Sequence, residues 1–193
     1  MKATLAALVA VIAFAGAGAL LDPAHGQDKK PLRDPDVIYV PTPQEVVDKM
    51  LDMADVRPGE IVYDLGCGDG RIPVTAAKRF GVKTWGFDIN PVRVKESLEN
   101  VTRAKVENLV TIKLQDIFEL DLAKADVITL YLLPQLNVKL IPQLDKLKPG
   151  CRIVSHDFDM EGVRPKKMVT YTPSGGREHR IYLWVTPLEK ERR

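Results

Sequence analysis

The sequence predicts an α/β fold, a doubly wound sheet of parallel strands finished by a C-terminal antiparallel hairpin. Three observations carry that prediction. From Ile61 onward, short apolar runs alternate with helical segments, which implies crossover connections and therefore parallel strands. The first run, Ile61-Val62-Tyr63-Asp64-Leu65, opens into Gly66-Cys67-Gly68-Asp69-Gly70-Arg71, a loop with glycine at every second position. Near the C-terminus, Lys167–Thr172 and Glu178–Val185 flank Pro173-Ser174-Gly175-Gly176 with no helix between them, the pattern of a hairpin.

The elements follow in order. Thr42 is placed to cap a helix over Gln44–Ala54 with Pro43 at its first position, and Val46, Val47, Met50, Leu51 and Ala54 recur there at helical spacing. Strand one is Ile61–Leu65 and its helix Arg71–Phe80; strand two is Val82–Phe87 and its helix Val92–Val106. Leu109–Leu114 and Ala125–Leu130 are strands three and four, Leu136–Leu147 is a helix ending before Lys148-Pro149-Gly150, and Cys151–His156 is strand five. Residues 27–38, polar and punctuated by proline, read as a tether too short to form a lid, and 188–193 as a charged tail.

Size and charge narrow the function classes. The 193 residues suit one domain with a substantial core, and 45% hydrophobic with 28% charged residues is ordinary for a globular protein. The net charge of +2 gives no basic face that compels nucleic-acid binding. Cys67 and Cys151 fall at opposite edges of a parallel sheet, too far apart for a disulfide, so both are read as free thiols. Cys67, Cys151, His25, His156 and His179 show no metal-ligand spacing, and no metal is expected.

The glycine loop indicates the ligand. Glycines let a backbone turn tightly after a buried strand and approach a ligand closely. A dinucleotide fingerprint reads G-x-G-x-x-G, whereas Gly70 comes one residue early, and Asp64 and Asp69 would repel a pyrophosphate. A cationic ligand fits better. The segment resembles the first motif of class I S-adenosylmethionine-dependent methyltransferases, and Trp85-Gly86-Phe87-Asp88-Ile89-Asn90-Pro91 ends a second strand on an acid, as that family does. The resemblance covers roughly residues 39–187 and implies a seven-stranded Rossmann-like methyltransferase sheet with S-adenosyl-L-methionine as cofactor. It implies that Asp64 and the backbone of Gly66 and Gly68 meet the methionine moiety and that Asp88 grips the ribose hydroxyls. In Gln115-Asp116-Ile117, the Asp116 carboxylate would take the adenine amino group and the Ile117 N–H a ring nitrogen. Asp116 alone is also a common turn cap.

Tyr39-Val40-Pro41-Thr42-Pro43 resembles the segment ahead of the fold in a narrower group, the protein-lysine N-methyltransferases of the ATP synthase c-subunit type and their archaeal relatives. There Thr42 and the helix start would close over the ligand carboxylate; simple capping is the alternative. At the end of strand four, Leu130-Tyr131-Leu132-Leu133-Pro134 lacks the Asn/Asp-Pro-Pro-Tyr of adenine and glutamine N-methyltransferases. An apolar wall with Tyr131 suits a lysine amine that must lose its proton and its water, although Tyr131 is equally a packing residue by type. His156 and Asp157 leave strand five on the ligand edge, where Asp157 would attract an ammonium and His156 take its proton, unless both only cap the loop.

The leading expectation is therefore a monomeric enzyme that methylates lysine side chains of a protein, in particular a membrane protein, without nucleic-acid partners. A small-molecule or lipid methyltransferase and a non-catalytic S-adenosylmethionine-binding protein are the alternatives. At the N-terminus, Met1-Lys2, the uncharged run Ala3–Leu21 and small residues at Ala24 and Gly26 read as a signal peptide over 1–26, which predicts export as the localisation. The run is also about long enough for an uncleaved membrane anchor with a cytoplasmic catalytic domain, and Lys29, Lys30 and Arg33 rival Lys2 in orienting it. Membrane contact is expected only through this segment.

Overall fold

The computed structural model describes residues 33–191. The segment expected as signal or anchor, the first part of the tether and the last two residues lie outside the described residues. Among these residues twelve elements follow one another: α1 Gln44–Met53, β1 Ile61–Leu65, α2 Arg71–Phe80, β2 Lys83–Asp88, α3 Pro91–Ala104, β3 Val110–Leu114, a 3-10 turn Ile117–Glu119, β4 Val127–Leu130, α4 Pro134–Leu144, β5 Arg152–His156, β6 Lys167–Tyr171 and β7 His179–Val185. The seven strands form one sheet in the order β3-β2-β1-β4-β5-β7-β6. All pairs are parallel except β5 with β7 and β7 with β6, so the doubly wound sheet and its closing hairpin are both present.

Differences at element ends have local causes. The helix expected from Val92 begins one residue earlier because Pro91 occupies its first position and the Asn90 side chain accepts from Val92 N–H at 2.9 Å. α4 likewise starts at Pro134 and ends at Leu144, where Lys146 N–H and Leu147 N–H turn back to the carbonyls three residues before them and tighten the chain. At α1 the cap is Pro43 and no side chain among the described residues caps it, so Thr42 does not play the capping role expected of it.

Strand alternation divides the core into two layers. Val62, Val127, Val154 and Ile181 face one way, against Val46, Val47, Met50 and Leu51 of α1 and Ile72 and Ala76 of α2. Tyr63, Leu65, Ile128, Leu130 and Ile153 face the other way, against Leu136, Leu140 and Leu144 of α4. Met160 and Val163, from the segment between β5 and β6, extend that second layer, and Trp184 adds its ring with its indole N–H on the Val163 carbonyl at 3.0 Å. β1 lies between β2 and β4, so the connections leaving the carboxyl ends of β1 and β4 diverge. A crevice at that switch point is where open α/β sheets bind ligands.

Candidate active site

One cleft occupies the crevice, and its wall includes Thr42, Asp64, Gly66, Asp88, Asp116, Ile117, Tyr131 and Leu132. The sequence-predicted cofactor residues are thus gathered from four separate segments, and Tyr131 and Leu132 add a fifth. Gly68 belongs to the same loop and donates its N–H to Asp88 Oδ2 at 2.8 Å. Its φ is +55°, and a Cβ there would overlap the Tyr39 ring; at Gly66, with φ +84°, a Cβ would come within 2.9 Å of Leu132. Both positions combine a left-handed backbone with close approach, the two properties that only glycine supplies.

Asp64 sits at the floor. Neighbouring strands place it opposite Thr129, whose Oγ1 donates to Asp64 Oδ1 at 2.6 Å. Oδ2 is buried with no partner among the described residues. Burial pushes the Asp64 carboxyl up to about 7, with Thr129 pulling the other way. An orphaned buried acceptor facing a cleft is a position that a ligand's cationic or N–H group would satisfy. Asp88, at the end of β2, accepts from Gly68 N–H and, through Oδ1, from Asn90 N–H at 2.8 Å. Burial raises its pKa, against the pull of those backbone donors.

Asp116 accepts from Phe118 N–H at 3.0 Å, and also from Arg33 through Nε at 2.7 Å and Nη2 at 3.2 Å. Burial opposes ionisation here, but the Arg33 hydrogen bond and the Phe118 N–H outweigh it and hold the carboxyl below its ordinary value. Residues 33–41 line the cleft through Arg33, Val37, Ile38, Tyr39 and Pro41 among others. The stretch 33–38, read as a bare tether too short to form a lid, is therefore part of the cleft wall. Polar composition alone concealed that role.

Asp69 is not the open carboxylate that the sequence suggested. Arg71 Nη2 reaches Asp69 Oδ2 at 2.7 Å and Arg71 Nε reaches Oδ1 at 3.0 Å, while Arg71 Nη1 donates to the Thr42 carbonyl at 2.7 Å. Arg71 thus neutralises the loop acid and ties the glycine loop to the segment ahead of α1. Its position directly after Gly70 was the available signal.

The acceptor-side assignments change more. Tyr131 lines the cleft, with its ring centroid 3.9 Å from that of His156 and 6.0 Å from that of Phe158, which it stacks at 18°. His156, expected to accept a proton from substrate, is fully buried and absent from the cleft wall. Its Nδ1 is 3.1 Å from Thr42 Oγ1 and its Nε2 is 2.7 Å from His179 Nδ1, so both ring nitrogens are engaged inside the protein. Burial drives its pKa down to about 4, against the attraction of Asp157. Asp157, expected to attract an ammonium, is paired with the Arg177 guanidinium and accepts from Arg180 N–H at 3.1 Å. Both residues therefore build the β5–β7 corner and neither is an open catalytic group. Sequence spacing held no hint that His156, Asp157 and His179 converge, because 23 residues separate the histidines and only the hairpin brings them together. Both cysteines are free thiols, as expected, and both are buried.

A seven-stranded sheet with this order, a glycine loop at its switch point, an acid on the first strand with one oxygen unpartnered among the described residues and a second acid ending the next define a class I S-adenosylmethionine-dependent methyltransferase. Residues 64–167 match the ANTKMT methyltransferase domain. A protein-lysine N-methyltransferase of Saccharolobus islandicus is 46% identical over 153 residues, 78% of this chain and 94% of that protein. The mouse lysine N-methyltransferase of the ATP synthase c-subunit is 30% identical over 125 residues, 62% of this chain and 48% of that protein, so the chain spans about half of that relative's length. Among solved structures, an RNA methyltransferase from Salinibacter ruber in complex with S-adenosyl-L-homocysteine aligns with a TM-score of 0.72 and 44% identity, covering 80% of this chain and 98% of that one. The chain belongs to the ANTKMT methyltransferase family.

Proposed function

We propose that this enzyme transfers a methyl group from S-adenosylmethionine to lysine side chains of a protein. Bound S-adenosylmethionine supplies an electrophilic methyl on a sulfonium. What the chain contributes is placement of an acceptor in line with it, which is positioning catalysis more than acid–base chemistry. In this reading Asp64 Oδ2 takes a donor from the methionine end, Asp88 the ribose hydroxyls, and Asp116 with the Ile117 N–H the adenine. Thr42 closes the methionine end from the segment ahead of α1.

The observation that carries the lysine acceptor is the composition of the β4 edge. Leu130 is fully buried, Leu132 and Tyr131 line the cleft, and Phe158 stacks behind Tyr131. Leu130 stands where an amide or carboxylate would be needed to orient a planar nitrogen. An aromatic and aliphatic slot strips water from an alkyl ammonium and holds its methylene stem, and the lost hydration lowers the amine pKa toward the neutral, attacking form. The names of the relatives divide between protein lysine and RNA, so the test must offer both. Full-length chain with labelled S-adenosylmethionine is incubated separately with a membrane-protein extract and with total RNA, and the label is located by mass spectrometry. Label on lysine nitrogen supports the reading, and label on nucleobases or small molecules with lysine untouched overturns it.

We further propose that residues 1–26 direct export, supported by the Met1-Lys2 start, the apolar run Ala3–Leu21 and the small residues before Gln27. No helix among the described residues is long and apolar enough to cross a membrane. An N-terminus near Gln27 in protein from the native host supports export, and one at Met1 or Ala3 favours an anchor. The enzyme is proposed to act as a monomer on a membrane protein.

A further inference from the structure

β5 ends at His156 and β7 begins at His179, and their antiparallel pairing sets His156 opposite Ile181, so the two imidazoles meet at one corner of the sheet. His156 Nε2 lies 2.7 Å from His179 Nδ1. Asp157 Oδ2 lies 3.2 Å from the first nitrogen and 3.4 Å from the second. Both histidines are buried and the carboxylate is nearly so. Three atoms that carry lone pairs therefore form a small triangle away from bulk water.

One proton occupies that triangle in either tautomer. Where the Thr42 hydroxyl accepts from His156 Nδ1–H, the central proton is the one on His179 Nδ1; where the hydroxyl donates, the central proton is on His156 Nε2. Two imidazole nitrogens and a carboxylate oxygen thus converge on that hydrogen, with the Arg177 guanidinium also on Asp157 Oδ2, an arrangement suited to a cation. We propose that His156 Nε2, His179 Nδ1 and Asp157 Oδ2 form a binding site for a divalent transition metal of the zinc class.

The dimensions agree. Zinc bonds imidazole nitrogen and carboxylate oxygen at about 2.0–2.2 Å, which sets tetrahedral ligand atoms roughly 3.4 Å apart. The two edges to Asp157 already measure 3.2 and 3.4 Å, and only the edge between the imidazoles, 2.7 Å, must open. On binding, the central proton moves to the far nitrogen of the ring that carried it. Three protein atoms bond the ion, a water completes its tetrahedron, and no net proton leaves. Thr42 then accepts from His156 Nδ1–H, the outer hydrogen bond that metal-bound histidines require to fix their tautomer. Arg177 is the competitor, since its guanidinium is paired with Asp157, but its side chain is 60% exposed and can swing into solvent. A bound ion would join the end of β5 to the start of β7 and, through Thr42, to the segment that lines the methyl-transfer cleft.

Metal-free full-length protein is titrated with ZnCl2 by calorimetry and with CoCl2 by visible absorption. The expected result is one equivalent bound with a tetrahedral cobalt spectrum, weakened at least tenfold in Asp157→Asn and in His179→Gln, and tightened in Arg177→Ala because a competing cation is gone. Circular dichroism establishes that each variant is folded, and His156, wholly buried, is left unchanged. Absence of stoichiometric binding, binding that survives both ligand variants, or no gain in Arg177→Ala would overturn the site and leave a hydrogen-bond network in its place.

Discussion

Thr129 Oγ1 donates a 2.6 Å hydrogen bond to Asp64 Oδ1, while Oδ2 of the same buried carboxyl has no partner among the described residues. One strand neighbour thus satisfies half of the acid and leaves the other half for whatever enters the cleft. Burial holds the carboxyl near 7 against an unfolded value of about 3.9. As pH rises between these two values, the unfolded chain loses the proton and the folded chain keeps it. This group's contribution to the stability of the ligand-free protein is therefore full below about 4 and is lost as pH climbs toward about 7. Asp64→Asn removes the titration and should flatten that part of the curve. Thermal melts of both proteins across this range check it, and parallel curves would contradict the assignment.

Ligand binding should reverse the balance. A cationic group beside Oδ2 favours the carboxylate, so binding of S-adenosylmethionine near pH 6.5 is expected to release up to about one proton. Calorimetry in buffers of different ionisation enthalpy measures that number directly. Asp64→Asn should abolish the release and weaken binding.

Asp88 ends β2 and is held by two backbone donors, Gly68 N–H and Asn90 N–H, each at 2.8 Å. Hydrogen bonds from ribose hydroxyls to a carboxylate contribute about 1.5–3 kcal/mol, so Asp88→Ala should weaken the cofactor at least tenfold. Unchanged calorimetric affinity in a folded Asp88→Ala variant would remove Asp88 from the ribose role.

The sheet was legible because its signals are local. Alternating apolar runs mark the strands, and the Gly66-Cys67-Gly68 turn with Asp64 and Asp88 marks the switch point. What could not be read depends on contacts between distant segments. His156 and His179 meet only through the β5–β7 register, and Arg33 reaches Asp116 across 83 residues of chain. Asp69 is the exception, since its partner Arg71 stands two residues away and the pairing was there to be read. His156 looked like a base from its place at a strand end, but burial and two ring partners decide its state, and neither is visible in a string of letters.

Gly68 and Tyr39 are predicted to be coupled. A Cβ at Gly68 would overlap the Tyr39 ring, and φ of +55° is itself unfavourable for an L side chain by about 1–2 kcal/mol. Gly68→Ala should destabilise the protein through both terms. Tyr39→Ala in the same chain removes the overlap and leaves the backbone cost, so the double variant should recover part of the loss. A denaturant double-mutant cycle with no coupling would show that the ring does not seat against the glycine loop.

Tyr131 should govern turnover more than cofactor affinity. Its ring stacks on Phe158 at 18° and lies 3.9 Å, centroid to centroid, from His156, a buried ring fixed at both nitrogens, so the wall it presents to the cleft is rigid. Tyr131→Ala removes that wall and lets the acceptor amine drift from the line of attack, where displacement of about 1 Å costs up to roughly a hundredfold in rate. Tyr131→Phe keeps the ring and should retain most of the activity. Because only the neutral amine attacks, kcat should climb with pH until the pKa of the bound lysine is passed, and this profile should persist in Tyr131→Phe. Steady-state kinetics on the identified acceptor, with S-adenosylhomocysteine affinity measured alongside, separates the two effects. If Tyr131→Ala loses affinity and turnover in equal measure, the residue supports the cofactor side of the cleft and the acceptor must enter elsewhere.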